Sequence, residues 1–252
     1  MKPNRKKGRL ANASSELNTS PPKATWRNRL FTEPPPRITL ALASALLCIL
    51  AITAYSNAMS NGFVWDDHEQ VVMNATLRPG VPLLRLAGTN NWGLARAGVQ
   101  ERINYYRPLQ MVTYRLTAEV SGFDARAFHT VNLGLHILAV LLVFALFYKL
   151  TGRMALAFAG GALFAVHPIH TEAVDWIAAL PDIGCTVCFL LAFLFFVLAQ
   201  GAGSHTPPDE PPRRFLALFL AASYAAFAAA LLWKETAIVI PAHRHGVRFL
   251  FG

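Results

Sequence analysis

Long apolar segments constrain this chain more than any other feature, because they limit the solvent in which it can fold. Five of them lie, in order, at 38–55, 131–148, 154–166, 183–199 and 215–233. A helix needs about 20 residues, with a range of about 17–25, to cross a bilayer. Four segments reach that length, and the third does so if it extends over 151–168. The sequence therefore predicts an all-α, multi-pass integral membrane protein with five transmembrane helices.

Composition supports a bilayer environment. Charged residues make up 15% of the chain and hydrophobic residues 54%, whereas an ordinary soluble domain is about 25% charged. The formal net charge of +9 does not indicate nucleic-acid binding, because the basic excess lies mainly in residues 1–37. That proline-rich segment is predicted to be a disordered tail. A long basic segment before the first apolar run favours an uncleaved signal anchor.

Lysine and arginine placement predicts the orientation. The basic tail should stay cytoplasmic, so alternation places a large loop, 56–130, on the external side. The loop 167–182 would also be external and contains no Lys or Arg. The loop 56–130 holds seven arginines, but loops beyond about 60 residues translocate largely regardless of charge. The membrane would be the inner or plasma membrane of a bacterium, or the endoplasmic reticulum of a eukaryote.

The first candidate site is the acidic pair Asp66 and Asp67, which follows the aromatic-apolar residues 63–65. Two neighbouring carboxylates in partly apolar surroundings can have different pKa values. One can then serve as a general base while the other orients a ligand. The alternative is that the aspartate simply caps the N-terminus of a helix that contains 69–72. The spacing alone leaves both hypotheses open.

A second candidate site lies at 104–109. Arg107 can hold a phosphate with its planar guanidinium group, and Tyr106 can line a sugar site. Pro108 suits the first turn of a helix over 109–120, which would lie along the membrane interface. The alternative is an interfacial aromatic belt with an arginine that extends towards water.

The third candidate site, at 167–176, includes His167, His170, Glu172 and Asp175. Its spacing matches no standard metal motif, and Pro168 disturbs helical geometry, so no metal is predicted. A hydrogen-bonding shell around a substrate, or a polar network between helices, fits better.

Other polar residues within apolar segments are assigned packing roles. His129 and His136 are predicted to be structural. Cys185 and Cys188 form a CxxC pattern within an apolar run that has no second CxxC and no nearby histidine, which favours helix packing over redox or metal chemistry. A glycine pair at 160–161 predicts close packing of the third helix.

Six motifs together resemble a known family. They are FVWDDH at 63–68, YYRPL at 105–109, HTVNLGLH at 129–136, FAVHPIHTEAVDW at 164–176, PD at 181–182 and KET at 234–236. Their order and spacing are similar to the membrane domain of the transmembrane and tetratricopeptide-repeat proteins, which are relatives of protein O-mannosyltransferases with the GT-C glycosyltransferase fold. The resemblance covers about 38–241.

The resemblance implies a GT-C type membrane bundle that transfers a hexose on the external face. The donor would be a polyprenyl- or dolichyl-phosphate sugar and the acceptor a protein or glycan hydroxyl, with no cofactor, metal or nucleic acid. By likeness, Asp66 would be the base, and Asp67 would orient the acceptor or support Asp66. Arg107 and Lys234 would stabilise the departing lipid phosphate. The remaining members of the implied substrate site are Tyr106, His167, His170, Glu172 and Asp182.

Two non-enzymatic alternatives remain at this stage. One is a membrane scaffold whose polar face binds a partner. The other is a transporter, which is disfavoured because the centres of the apolar segments carry almost no charge.

The chain also has fewer membrane segments than the family and no 34-residue helical repeat. Residues 242–252 turn basic where an apolar continuation is expected, so we expect a truncated or frameshifted end.

Overall fold

The computed structural model describes residues 36–86, 106–202 and 213–239, and in these ranges it contains helices and no strand. The α-helices are, in chain order, α1 (Arg37–Tyr55), α2 (Leu83–Leu86), α3 (Pro108–Ser121), α4 (Ala125–Thr151), α5 (Met154–Val166), α6 (Thr171–Asp175), α7 (Leu180–Ala202) and α8 (Arg213–Trp233). Short 3₁₀ turns lie at Ser56–Ser60, Ala75–Leu77, Pro168–His170, Ile177–Ala179 and Glu235–Val239, and a π-helical turn lies at His68–Val72. Residues 1–35, 87–105 and 240–252 lie outside the described residues, and with them the predicted disordered tail and the predicted atypical end.

Four helical segments of the described chain are long and apolar enough to cross a membrane. They are Arg37–Ser60, Ala125–Thr151, Ile177–Gln200 and Arg214–Trp233. A bent pair, Met154–Val166 with Pro168–Asp175, raises the number to five if it counts as one broken span. The chain is therefore a multi-pass membrane protein with a helical bundle, as the apolar pattern predicts.

The third membrane segment departs from the continuous helix expected over 151–168. α4 ends at Gly152, whose φ of 65° is the left-handed conformation that closes many helices. α5 then has only 13 residues, about 20 Å of helix against a hydrocarbon core of about 30 Å. His167 leaves the helical conformation ahead of Pro168, and the following helical turns are bent by 46° from α5. Proline disfavours a helical residue before it, which explains the break.

The membrane helices carry apolar side chains on both their packed and their exposed faces. On α1, Leu47 and Ala51 are buried against α4 and α5, where Phe144 is among their neighbours. On the opposite face, Ile38 and Leu42 remain exposed. Exposed aliphatic side chains suit a helix that is solvated by lipid rather than by water.

Glycines allow the closest helix contacts. A Cβ on Gly161 would lie 3.1 Å from Leu47 and 3.3 Å from Phe144, so α5 packs tightly, as its glycine pair predicts. A Cβ on Gly184 of α7 would lie only 2.3 Å from the ring of Trp233 at the end of α8. Glycine is thus required for the observed approach of α7 and α8.

The segments that follow α1, α5 and α8 meet at one end of the bundle, which we call the polar end. α1, α5 and α8 finish there, and α4 and α7 begin there. The Tyr55 hydroxyl, at the end of α1, donates to the carbonyl oxygen of His167, which follows α5, at 2.9 Å. Lys234, which follows α8, contacts Asp182 in the first turn of α7. Polar residues from distant parts of the chain therefore share one end of the molecule.

A non-spanning layer covers part of the polar end. α3 begins with Pro108 at its first turn, as predicted, and ends at Gly122. It buries Met111 and Tyr114 in a cluster that also contains Val71 and Ile177. The layer thereby fixes the segment with the acidic pair against the turn that precedes α7.

Candidate functional site

A cavity of about 490 Å³ lies at the polar end, and we call it the Lys234 cavity. Its apolar lining includes Phe164 from α5 and Ile183 from α7. The polar side chains that line it are His136, His170, Glu172, Asp182, Thr186 and Lys234. The structure therefore brings His170, Glu172, Asp182 and Lys234, all predicted from the sequence, into one cavity.

Two adjacent residues after α8, one positively and one negatively charged, each form an ion pair. Lys234 Nζ lies 2.5 Å from Asp182 Oδ1. Glu235 accepts from Arg107, with 3.1 Å between Nη2 and Oε1. Partial burial alone would raise the pKa of Glu235, but the Arg107 guanidinium outweighs it and lowers that pKa. Arg107 does not line the Lys234 cavity, yet it is coupled to the cavity through the neighbouring pair.

Asp67 is fully buried and makes two backbone contacts. Its Oδ2 accepts from the Val64 N–H at 3.0 Å, and its Oδ1 accepts from the Ala178 N–H at 2.8 Å. Burial raises the pKa of Asp67, and these two backbone hydrogen bonds partly oppose that shift. Asp67 precedes the turn His68–Val72 but makes no capping hydrogen bond to it. The capping hypothesis is therefore wrong for Asp67, whose carboxylate fastens two separate segments instead.

The residues beside Asp67 form an unusual turn. Trp65 has a φ of +45°, which is uncommon for a residue other than glycine. Its ring and that of Trp176 form an edge-to-face pair with a centroid distance of 6.0 Å. Asp66 follows this strained residue and is half-buried. Such strain persists only where surrounding contacts hold the backbone, and the hydrogen bond that the Val64 N–H donates to Asp67 is one of them.

A buried hydrogen-bond network connects the acidic segment to α3 and to the turn before α7. Gln110 donates to the side-chain oxygen of Gln70 at 2.9 Å, and it lies 3.0 Å from the Tyr114 hydroxyl. The Tyr114 hydroxyl donates to the carbonyl oxygen of Ile177 at 2.9 Å. Burial raises the pKa of Tyr114, so its phenol remains a donor. The network holds the backbone on both sides of the Asp67–Ala178 contact.

One face of α4 supplies three polar residues, of which His129 and His136 were predicted to be structural and Asn132 was given no role. His129, Asn132 and His136 are all buried on it. His136 lines the Lys234 cavity, and its Nε2 lies 3.2 Å from the carbonyl oxygen of Ala165. Asn132 donates to the carbonyl oxygen of Trp176 at 2.9 Å. The signal was present in the sequence, because the spacing i, i+3, i+7 places all three on one helical face.

The other predicted residues occupy the edge of the polar end. His167 is exposed, and its Nδ1 accepts from the Ile169 N–H at 3.2 Å, which caps the turn Pro168–His170. Tyr106 is about half exposed and precedes α3. Neither residue lines the Lys234 cavity, and the same holds for Asp66 and Asp67.

No group of three or more His, Cys, Asp or Glu side chains in the described ranges has the arrangement of a metal site. Cys185 and Cys188 carry free, half-buried thiols. Both pack beside the cluster that contains Trp233. Their contacts agree with the packing role that the apolar run suggests.

The chain is similar to several curated proteins. Protein O-mannosyl-transferase Tmtc2 of Drosophila melanogaster is 37% identical over 194 residues, which cover 76% of this chain and 20% of that protein. Protein O-mannosyl-transferase TMTC1 of Homo sapiens is 37% identical over 206 residues, which cover 79% and 22%. Protein O-mannosyl-transferase TMTC2 of Homo sapiens is 31% identical over 202 residues, which cover 79% and 23%. The chain thus spans about a fifth of the length of these relatives.

No protein-family model and no solved structure matches the chain.

Proposed function

Because this chain belongs, over the segment it shares with them, to the TMTC family of protein O-mannosyl-transferases, we propose that it forms the donor-binding and catalytic part of a membrane glycosyltransferase. It would transfer a hexose from a polyprenyl- or dolichyl-phosphate donor to a protein or glycan hydroxyl, in a bundle of GT-C type. The names of the relatives favour mannose as the hexose. The alternative function is that of a non-catalytic membrane scaffold.

The Lys234 cavity is the observation that carries this proposal. A lipid-phosphate sugar combines an apolar chain, an anionic phosphate and a neutral polyol. The cavity offers an apolar wall with Phe164, a cation at Lys234, and hydrogen-bonding side chains at His170 and Glu172. It lies where membrane helices end, so a lipid donor could bind without leaving the bilayer.

The proposed reaction is a displacement at the anomeric carbon of the hexose. The acceptor oxygen attacks the anomeric carbon of the hexose while Asp66 takes the hydroxyl proton. The bond between that carbon and the phosphate oxygen breaks, and the phosphate leaves with the electron pair. Lys234 and Arg107 stabilise the negative charge that develops on it. The products are the glycosylated acceptor, the lipid phosphate and a protonated Asp66.

Other residues position these groups. Asp67 would act through its hydrogen bonds to Val64 and Ala178, which hold the turn that carries Asp66. Glu172 would bind hydroxyl groups of the sugar, and Asp182 would hold Lys234 in place. Tyr106 and His167 would border the path to the site.

The orientation is part of the proposal. Lys149 and Arg153 lie at the end of the bundle opposite the polar end, and Arg213 and Arg214 begin α8 there. Positive residues favour the cytoplasmic side. The tail 1–37 would therefore be cytoplasmic, and the polar end would face the cell exterior or the lumen of the endoplasmic reticulum.

The test measures transfer of labelled mannose from dolichyl-phosphate mannose in membranes that contain this chain. We expect Asp66→Asn to lower transfer at least about 100-fold, because general-base catalysis contributes about 10²–10⁴-fold. Arg126→Gln, which removes an exposed cation outside the cavity, should leave transfer unchanged. Wild-type transfer rates in Asp66→Asn would exclude Asp66 as the base.

Donor binding supplies a second measurement that does not depend on turnover. A photoreactive analogue of dolichyl-phosphate mannose should label the wild-type chain and the Arg126→Gln variant. Lys234→Gln should reduce this labelling, because the phosphate loses a cation. A chain that neither transfers mannose nor takes the label would contradict the proposed function and support the scaffold.

A further inference from the structure

His136, on α4, lines the Lys234 cavity but has no role in the reaction proposed above. Only 2% of its surface is exposed. The apolar segment that contains it, 131–148, carries no other histidine. A polar ring inside a membrane bundle is costly unless its nitrogens find partners, so the partner of each nitrogen has to be identified.

The contact between His136 and α5 fixes the tautomer of the imidazole. Its Nε2 lies 3.2 Å from the carbonyl oxygen of Ala165, which belongs to the last turn of α5. The last four carbonyl groups of a helix have no partner within that helix. A carbonyl oxygen can only accept, so Nε2 carries the hydrogen. In a neutral imidazole the lone pair is then on the other nitrogen, Nδ1.

Aromatic rings hold this imidazole in place. Phe164 stacks on it, with ring centroids 5.7 Å apart and an interplanar angle of 18°. Tyr55 meets it edge-on at a centroid distance of 5.1 Å, and the ring of His170 lies 5.4 Å away. Burial in such surroundings favours the uncharged form. These contacts fix the orientation of the ring, and with it the direction of the Nδ1 lone pair.

The Nδ1 atom of His136 is accessible and receives no hydrogen bond from a described residue. The described side-chain atoms that are both inaccessible and without a partner do not include it, and the space that His136 lines is the Lys234 cavity. Two donors of that cavity are engaged elsewhere. Lys234 pairs with the Asp182 carboxylate, and the Thr186 hydroxyl donates to the Asp182 carbonyl oxygen at 2.7 Å. An acceptor therefore faces the cavity, and a ligand has to supply the donor.

We propose that His136 is a specificity-determining residue, whose Nδ1 accepts a hydrogen bond from one hydroxyl group of the ligand in the Lys234 cavity. The identity of that ligand rests on the proposed function. The oxygens of a phosphodiester only accept, so its anionic group lies towards Lys234 and not towards Nδ1. A ligand that has hydrogen in place of the recognised hydroxyl group leaves Nδ1 unpaired, and the site rejects it.

Competition binding tests this proposal. The purified chain in lipid nanodiscs is labelled with the photoreactive analogue of dolichyl-phosphate mannose, while unlabelled dolichyl-phosphate mannose or one of its monodeoxy forms competes. With the wild type, at least one monodeoxy form should compete about 5- to 150-fold more weakly than the parent compound. This range is that expected when a buried acceptor loses its partner.

Two variants separate the roles of the two nitrogens of His136. A glutamine places an amide nitrogen near the position of Nε2, so His136→Gln keeps the contact with Ala165 and should lose the penalty for one monodeoxy form. An asparagine places an amide oxygen near the position of Nδ1. His136→Asn should therefore keep this penalty and unfold at a lower temperature, because Ala165 loses its partner. The control is Arg126→Gln, which changes an exposed residue of the same helix and should behave as the wild type.

A penalty that is present in the wild type and in His136→Asn, but absent from His136→Gln, would support the proposal. Every penalty persisting in His136→Gln, or equal competition by all forms in the wild type, would overturn it and leave the proposed function intact. Loss of the same penalty in both variants would show that His136 acts only through packing, which also refutes a direct hydrogen bond. A wild-type chain that takes no label would contradict the proposed function, and the role of His136 with it.

Discussion

At the scale of single residues, Asp67 is the carboxylate with the most definite structural role. It joins Val64, three residues before it, to Ala178, 111 residues after it. Both contacts use backbone N–H groups in a region that buries Val71, Tyr114 and Ile177. One carboxylate of the acidic pair is thus committed to the fold, whereas its neighbour Asp66 is only half-buried.

We predict that Asp67→Asn destabilises the protein. An amide has one acceptor oxygen, so one of the two N–H groups at Val64 and Ala178 loses its partner. A buried unpaired group costs about 1–3 kcal/mol. The free energy of unfolding in mixed detergent micelles measures this loss. Asp66→Asn serves as the control and should stay within about 0.5 kcal/mol of wild type. Equal stability of all three proteins would contradict the assignment of Asp67.

The same residue should give the wild type a characteristic pH dependence. Burial raises the pKa of Asp67 above its ordinary value of 3.8. The native state therefore retains this proton over a pH range in which the unfolded state has released it. Stability then falls as the pH rises from about 3.8 through the pKa of the folded state. Asp67→Asn should lack this slope, and a variant with the wild-type slope would refute the origin in Asp67.

Sequence reasoning singled out charged residues as site candidates, but it did not predict their partners. Asp66, Asp67, Lys234 and Asp182 were recognisable because charges beside apolar runs are conspicuous. That Lys234 pairs with Asp182 was not recognisable. Such a pairing depends on how α7 and α8 pack, which involves residues far apart in the chain.

At the scale of helices, the contact between α7 and α8 depends on Gly184 beneath the ring of Trp233. We predict that Gly184→Ala destabilises this pair by about 1–3 kcal/mol, the usual cost of overpacking. The matched control is Gly134→Ala in α4, where a Cβ would meet nothing within 4 Å. That variant should be neutral or up to about 1 kcal/mol more stable, since alanine favours helices.

Unfolding titrations of both glycine variants under identical detergent conditions decide the point. Similar stabilities for Gly184→Ala and Gly134→Ala would show that the ring of Trp233 can move aside, and that the close approach is not required.

Helix existence was easier to predict than helix extent. The predicted segment 131–148 is the central part of the longer helix Ala125–Thr151. The first turns of this helix lack the apolar pattern, and Asp124 caps them. The length of α5, in contrast, was overestimated. Apolar composition alone allowed a helix over 151–168, whereas Gly152 and Pro168 limit it from both sides.

At the scale of the whole molecule, polar chemistry is concentrated at one end of an otherwise apolar bundle. The apolar segments predicted a membrane protein, and ordered motifs predicted the TMTC family, whose relatives are 37% and 31% identical. Two features could not be predicted from the periodicity of apolar residues. One is the buried layer around α3, which carries Gln110 and Tyr114. The other is the Lys234 cavity, whose lining comes from α4, α5, α7 and the residue that follows α8.

The proposed orientation gives a prediction at this scale. Ser60 lies at the polar end and Thr151 at the opposite end, and both have exposed side-chain hydroxyls. In a chain without its native cysteines (Cys48→Ala, Cys185→Ala and Cys188→Ala), Ser60→Cys should react in intact cells or sealed vesicles with a thiol reagent that cannot cross membranes. Thr151→Cys should react only after permeabilisation. The reverse pattern would invert the topology and place the polar end in the cytoplasm.

The ion pairs of Lys234 and Glu235 also determine when the polar end can assemble during synthesis. Asp182 precedes Lys234 by 52 residues, and Arg107 precedes Glu235 by 128 residues. A ribosome adds about 5–20 residues per second, so Arg107 waits on the order of ten seconds for its counter-ion. The cavity consequently comes into being only when the latest described segment arrives. The site that we propose for the lipid phosphate is therefore incomplete until Lys234 and Glu235 have been synthesised.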